Sequence, residues 1–392
     1  MKVKSLCSLA LLVFTASLAT AQRTASTDLP CSGGISATAP TNWPQFHFDA
    51  SHSGCNPSET ILGPDTVANL VLAWKYPTGS QVQSSAVVVN GVVYFGSDPN
   101  LYAVNGSTGA LLWKYTPSSF PYSPAVANGA VYFGSADGYF YALNAATGAL
   151  IWKDRVSVGF SGFSAPAVLN GVIYFGASTF YMYALNASTG ALLWSYKTGD
   201  TISSSPAVAK SRVYFGSWDG NVYALNAVTG ALVWKYTTGA SVASSPAVAN
   251  GVVYIASNDF NLYALDAATG GIVWKGESQA QSSSPAVAND VVYIGDGSGS
   301  YVLGLNASNG GLRWIYQTRN SVYAGPGLAN GVVYIQSSDG NLYALNASTG
   351  AFLWKYLIGM VDYASSSAAV SNGMVYVGSN DGSLYAFHLP GQ

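Results

Sequence analysis

From about residue 70 onward, short apolar runs alternate with turn residues. The stretch 205–239 is typical: Ser-Pro-Ala-Val, then Val213-Tyr214-Phe215-Gly216-Ser217, then Asp219-Gly220, then Val222-Tyr223-Ala224-Leu225-Asn226, then Thr229-Gly230, then Ala231-Leu232-Val233-Trp234-Lys235-Tyr236. Val, Tyr, Phe and Trp fit a pleated sheet. Asn-Gly pairs (Asn90-Gly91, Asn128-Gly129, Asn170-Gly171, Asn250-Gly251, Asn330-Gly331, Asn372-Gly373) and Asp-Gly pairs (Asp137-Gly138, Asp219-Gly220, Asp339-Gly340, Asp381-Gly382) supply the positive φ of tight hairpins. Each unit therefore predicts four antiparallel strands. A helical solenoid would show a 3.6-residue apolar period, and no such stretch follows the N-terminal segment.

The unit recurs about every 40 residues, marked by Trp74, Trp113, Trp152, Trp194, Trp234, Trp274, Trp314 and Trp354. Its second strand is marked eight times, by Tyr94, Tyr132, Tyr174, Tyr214, Tyr254, Tyr293, Tyr334 and Tyr376. The strands are apolar at adjacent as well as alternate positions, so both faces must be covered. Sheets packed around an axis do this. The expected fold is all-β, an eight-bladed β-propeller of four-stranded antiparallel blades. The first Trp strand precedes the first complete unit and the last unit, ending near His388, lacks one. The count closes only if the strand around Leu72–Tyr76 completes the eighth blade, which joins the two chain ends and removes an open edge.

The string Ala-Leu-Asn-Ala-x-Thr-Gly, followed after three residues by Trp, resembles the tryptophan-docking repeat of the pyrroloquinoline-quinone (PQQ) propellers, the group of the quinoprotein dehydrogenases and BamB. The resemblance spans about 320 residues and implies that each Trp packs between blades against a turn glycine of a neighbour, among Gly109, Gly148, Gly190, Gly230, Gly270, Gly310 and Gly350. The Asp usual in that motif remains only as Asp266; Asn105, Asn144, Asn186, Asn226, Asn306 and Asn346 keep a turn-capping acceptor without the charge.

Only 8% of the 392 residues are charged, 15 Lys+Arg against 17 Asp+Glu. That leaves no cationic excess for nucleic acid. With 13% aromatics and a mean hydropathy of +0.24, disorder is excluded as well. Lys2, Lys4, the apolar stretch Leu6–Leu18 and Ala19-Thr20-Ala21 have the layout of an export signal cleaved before Gln22. The expected division is a signal over 1–21, a leader over 22–69 and a propeller over 70–392. No later stretch could span a bilayer as a helix. Cys7 leaves with the signal, far from the cleavage site, so it offers no lipid-acceptor cysteine. Cys31 and Cys55 remain, and an oxidising compartment predicts that they pair, worth about 3 kcal/mol; two free buried thiols are the alternative.

The resemblance makes a PQQ- and calcium-dependent dehydrogenase one expectation. Such an enzyme implies carboxylate and amide ligands for calcium, a carboxylate base, a cation near the quinone and, in many members, adjacent cysteines. This chain has no Cys-Cys pair and only two glutamates, Glu59 and Glu277. Its aspartates mostly fall in hairpin turns (Asp137, Asp219, Asp339, Asp381). In the leader, Trp43-Pro44-Gln45-Phe46-His47-Phe48-Asp49-Ala50-Ser51-His52 reads either as three metal ligands (His47, Asp49, His52) or as an apolar strap lying against the propeller. His388 replaces a repeat Asn at the surface. No Gly-x-Ser-x-Gly elbow supports hydrolysis. Sequons at Asn105, Asn186, Asn306 and Asn346 are turn chemistry first.

In a four-stranded blade the inter-blade loops and the turns between strands two and three emerge on one rim, where these copies differ. The loops carry Phe120, Tyr122, Arg155, Phe160, Phe163, Asp200, Arg319, Tyr323, Asp362 and Tyr363, and the turns add Phe180, Trp218 and Phe260. Exposed aromatics and Arg suit recognition. The loop from Lys153 to Ala165 is the longest. The expectation is an exported, monomeric, non-enzymatic propeller, periplasmic or extracellular, with no cofactor, offering this rim to a protein or glycan in the manner of BamB. The alternatives are the PQQ/calcium dehydrogenase and a small-ligand binder.

Overall fold

The computed structural model describes residues 42–156, 162–278, 283–359 and 366–391. They form eight four-stranded antiparallel blades in chain order around one ring, one of which, over 327–357, takes Cys55–Asn56 as a short parallel fifth strand. Blade 1 consists of Val87–Val89, Val92–Ser97, Asn100–Asn105 and Leu111–Tyr115 from the axis outward. Blades 2 to 7 repeat the arrangement over 125–155, 167–197, 207–237, 247–277, 286–317 and 327–357. Blade 8 takes its three inner strands from Ala369–Ser371, Met374–Ser379 and Ser383–His388. Its outer strand is Val71–Pro77, antiparallel to Ser383–His388 with Trp74 opposite Ala386. The ring closes between the chain ends, and the eight-bladed all-β expectation holds.

The core lies between the blades. Tyr214 and Trp234 of blade 4 pack with Val253, Ile255, Tyr263 and Leu265 of blade 5, and the same seam recurs around the ring. Each docking indole crosses its seam: Trp194 Nε1 donates to the Ala227 carbonyl at 3.0 Å. A Cβ on Gly230, at φ +71°, would stand 2.7 Å from the Trp194 ring. Trp74, Trp113, Trp152, Trp234, Trp274 and Trp314 repeat both contacts on the next blade, and Trp354 closes the set by donating to Leu70 of blade 8's entering chain. The outermost strands leave their outer edges open. Six carry one lysine near mid-strand (Lys75, Lys114, Lys153, Lys235, Lys275, Lys355), a charge that discourages edge-to-edge pairing. Among the described residues no helix is long and apolar enough to cross a membrane.

The leader does not lie over the outside of the ring. Residues 43–56 run once around its inner wall and meet the innermost strands in order. Trp43 exchanges backbone hydrogen bonds with Val88 of blade 1 at 2.7 Å; the Pro44 carbonyl then accepts from Val126 and the Gln45 side chain from Val168. The carbonyls of Ala50, Ser51, Ser53 and Gly54 accept from Val208, Val248, Val287 and Leu328. Finally the Asn56 amide donates to the Val370 carbonyl of blade 8. An innermost strand has no neighbour on its axial side, so its central N–H would lack a partner. The leader supplies one for seven blades and caps a carbonyl on the eighth.

Candidate functional site

Two places could hold chemistry: the axis, filled by the leader, and the loop rim. At the axis Phe46 stacks on His47 (ring centroids 4.1 Å apart) and meets His52 edge-on. Both histidines are 1% exposed. His52 Nδ1 lies 3.1 Å from the Pro246 carbonyl, and His47 Nε2 lies 3.4 Å from Ser367 Oγ. The second ring nitrogen of each, His47 Nδ1 and His52 Nε2, has no hydrogen-bond partner. Burial, and secondarily the His52 charge, pushes His47 down to about 3; burial pushes His52 down to about 4. Both are neutral imidazoles at ordinary pH. Asp49 turns away and accepts from Ser51 and Ser53 of its own loop. His47, Asp49 and His52 therefore do not assemble as a ligand set, and among the described residues no three His, Cys, Asp or Glu side chains gather at a possible metal site.

The repeat carries a mark of this plug that sequence reading overlooked. Blades 1, 2, 4, 5, 6 and 8 place Ser85, Ser123, Ser205, Ser245, Ser284 and Ser367 at one inner position, where blade 7 has Gly325. A Cβ on Gly325 would stand against His47 Nε2, so the histidine occupies the room a serine would need. Gly327 similarly replaces the repeat's alanine, and its missing Cβ would meet the Ala368 carbonyl at 2.5 Å and the Trp43 ring at 3.5 Å.

The rim is built by the turn aspartates. Asp219 caps its own hairpin through the Asn221 N–H, accepts the Tyr223 hydroxyl at 2.7 Å, and reaches the inter-blade loop through the Gly199 N–H at 2.8 Å. Asp259 and Asp339 repeat all three bonds, with Gly239 and Arg319 as the loop donors. Burial pushes these carboxyls up, but the Tyr hydroxyls and backbone N–H groups outweigh it and hold them below the usual range. Turn and loop are thus locked together at one end of blades 2, 4, 5 and 7, which brings most of the rim side chains named from sequence to a common edge.

Their surroundings differ. Trp218 is half exposed, its indole N–H donating to Ser203 Oγ at 2.9 Å. Phe260 and Phe180 are exposed on the neighbouring blades, so three consecutive blades present an aromatic side chain from the same turn. Phe180 and Phe260 have φ of +73° and +67° and stand where Gly138, Gly220, Gly340 and Gly382 stand in other blades. A bulky side chain in that conformation costs about 1–2 kcal/mol. Arg155 is exposed, 5.8 Å from the Tyr139 ring. Arg319 is exposed next to Asp200's counterpart Asn320, and Tyr323 lies half-buried with its ring where a Cβ on Gly297 would go. Phe120 and Tyr122 pack edge-on, half-buried. Phe163 is 6% exposed and wedged against Phe140 and Phe175, which makes it core and not rim surface; Gly134 opposite leaves it room. Its burial has a physical cause: no hydroxyl or charge holds an aromatic ring at the surface when an inter-blade seam is adjacent. Phe160, Asp362 and Tyr363 lie outside the described residues, as does Cys31; its candidate partner Cys55 is buried beside blade 7.

Comparison with known proteins agrees with this architecture. No curated protein matches the chain. Among solved structures, quinohemoprotein alcohol dehydrogenase from Comamonas testosteroni is similar at 18% identity and a TM-score of 0.75, covering 90% of this chain and 81% of that one. A europium-containing methanol dehydrogenase aligns at 16% identity and a TM-score of 0.76, covering 90% and 99%. BamB from Moraxella catarrhalis aligns at 19% identity and a TM-score of 0.68, covering 81% and 99%. At these identities the likeness is one of fold, and the fold hosts both enzymes and binding proteins. The sequence profile of the family described as outer membrane protein assembly factor BamB matches residues 66–203, 181–324 and 317–389, most of the chain. On its repeats, its eight closed blades and that match, the chain belongs to this family of PQQ-type repeat propellers.

Proposed function

We propose that this protein is an exported, non-enzymatic propeller that binds a protein partner through the aromatic side of its loop rim. The observation that carries the reading is the strained pair Phe180 and Phe260, exposed on either side of Trp218. Folding favours glycine at both turn positions, so an exposed phenylalanine there opposes stability and needs another reason. Large, rigid aromatics are the anchors interfaces use.

The axis supports the same reading. A quinone and its calcium would need space and oxygen ligands there, whereas the leader runs along all eight inner strands. The Glu59 carboxylate, 1% exposed, is already engaged by the N–H groups of Ile61, Leu62 and Gly373. The residues present at the axis do not fit the cofactor.

The test compares wild type with the triple variant Phe180→Gly, Trp218→Ser, Phe260→Gly as bait in the secreted or envelope fraction of the host. The expected result is a partner recovered by wild type and lost by a folded variant. Equal recovery of every partner by both overturns the reading. Recovery of glycan in place of protein would move it to the other class of ligand, and quinone absorbance after exposure to PQQ and calcium would remove it.

A further inference from the structure

A second site lies on the far side of the ring, where blade 8 meets blade 1. In six blades the rim hairpin has five residues, as in Ser217-Trp218-Asp219-Gly220-Asn221; in blade 1 it is cut to Ser97-Asp98-Pro99-Asn100, with Ser97 and Asn100 still paired. The difference is one covering residue. In blades 2, 3, 4, 5 and 7 the second turn residue lies over the preceding loop and donates its N–H to that loop's carbonyl: Ala136 to Phe120, Ser178 to Gly162, Trp218 to Thr201, Asn258 to Ser241 and Ser338 to Ser321, all at 2.8–2.9 Å. Blade 1 has no such residue over its loop 78–83. The loop is held from beneath by Ser97 Oγ on Thr78 Oγ1 and the Ser80 carbonyl, and from blade 8 by the Gly382 and Ser379 carbonyls, which accept from the Thr78 and Val82 N–H groups. A recess of about 480 Å³ opens as a result, within the size range of small-molecule sites.

We propose that this recess binds a neutral saccharide. It is lined by Gln81 and Gln83, whose amides are joined by a hydrogen bond from Gln83 Nε2 to Gln81 Oε1 at 2.9 Å, by Asn380 and Asp381, by Asp98 of the short turn, and by the Phe120 ring. No lysine or arginine lines it, so phosphates and carboxylates would meet two carboxylates and only neutral amide donors. A cationic ligand would seek two available carboxylates. Asp381 is already neutralised by Lys75 at 2.9 Å and accepts the Tyr385 hydroxyl, which leaves Asp98 alone. What remains is planar amide and carboxylate groups, which pair with vicinal hydroxyls through both their atoms, next to one aromatic ring against which a sugar's C–H face can pack. Exposed glycine backbone at Gly79 lets a ring approach the recess closely.

The site stands independently of the protein-binding face, since blades 8 and 1 lie across the ring from blades 4 and 5. The test is an array of neutral gluco-, xylo-, manno- and chito-oligosaccharides with the whole exported chain, followed by saturation-transfer NMR and titration of each hit. At least one neutral oligosaccharide binds, and Asp98→Ala and Phe120→Ala each weaken it by roughly ten-fold or more, the loss of one well-made contact. The triple variant at Phe180, Trp218 and Phe260 keeps that affinity. If Phe120→Ala alters the fold, Asp98→Ala and Gln81→Ala carry the comparison, both residues being exposed. No neutral saccharide bound, binding only of anionic or amine ligands, or affinity unchanged in the Asp98 and Phe120 variants overturns the proposal, while leaving the aromatic row to be judged on its own partner.

Discussion

Acidification should loosen this protein from its axis outward. His47 and His52 are buried as neutral rings, pushed down to about 3 and about 4, whereas in the unfolded chain each takes up a proton near pH 6.5. Below pH 6.5 the unfolded state therefore binds more protons than the native state, and stability falls with falling pH until the native imidazoles themselves titrate. At pH 5 each ring costs about 2 kcal/mol relative to pH 7.5, so the pair costs about 4 kcal/mol. No carboxylate offsets this: the groups against the two rings are each other, Phe46, Ser367 Oγ and the Pro246 and Pro285 carbonyls. Denaturant unfolding from pH 7.5 to 5 gives the slope directly. The double variant His47→Gln, His52→Gln starts less stable, because packing against Gly325 is lost, yet it should keep less than about 1 kcal/mol of the pH dependence. A wild type flat over this range, or a double variant with the full slope, would refute the assignment of the two neutral rings. The aspartates held low by tyrosine hydroxyls (Asp219, Asp259, Asp339) act in a separate window, losing their stabilisation only as pH falls through the acid side of the carboxylate range.

Other outcomes are equally open to measurement. Gly230→Ala combines a left-handed backbone with a Cβ 2.7 Å from the Trp194 ring and should cost about 2–4 kcal/mol, seen as a Tm lower by roughly 3–6 °C. Phe260→Gly should do the reverse, raising stability by about 1 kcal/mol while weakening partner capture; a loss of stability would remove the strain argument. For the proposed Cys31–Cys55 disulfide, denatured but unreduced mature protein should show no reactive thiol, and reduction should lower stability by about 3 kcal/mol.

The repeat itself was legible along the chain because its signals are local. Strand propensity, the Asn-Gly and Asp-Gly turns and the Trp spacing act over a few residues, and counting them was enough to give eight blades and to require that the Trp74 strand complete the last unit, ending near His388. The Asn105-type turns were equally readable: Asn226 Oδ1 accepts from the N–H groups of Val228 and Thr229, as Asp266 Oδ1 does from Ala268 and Thr269. A trace of the plug was also present, in the single glycine at 325 where six other blades have serine, but it becomes meaningful only once His47 is seen to fill the space.

What the one-dimensional order could not contain is which groups meet after closure. Whether the leader's Trp43-to-His52 segment lies over the ring or runs within it depends on unpaired N–H groups that exist only when eight innermost strands face a common axis. Phe163 and Phe260 are both loop phenylalanines, yet one is wedged in a seam and the other stands in solvent, because burial is decided by neighbours from another blade. The blade 8–blade 1 recess joins Gly79–Gln83 to Asn380–Gly382, segments some 300 residues apart in sequence, and it is open because one hairpin is a residue short. Local energies chose the strands; long-range packing and the search of every backbone donor for an acceptor placed the side chains that can bind something.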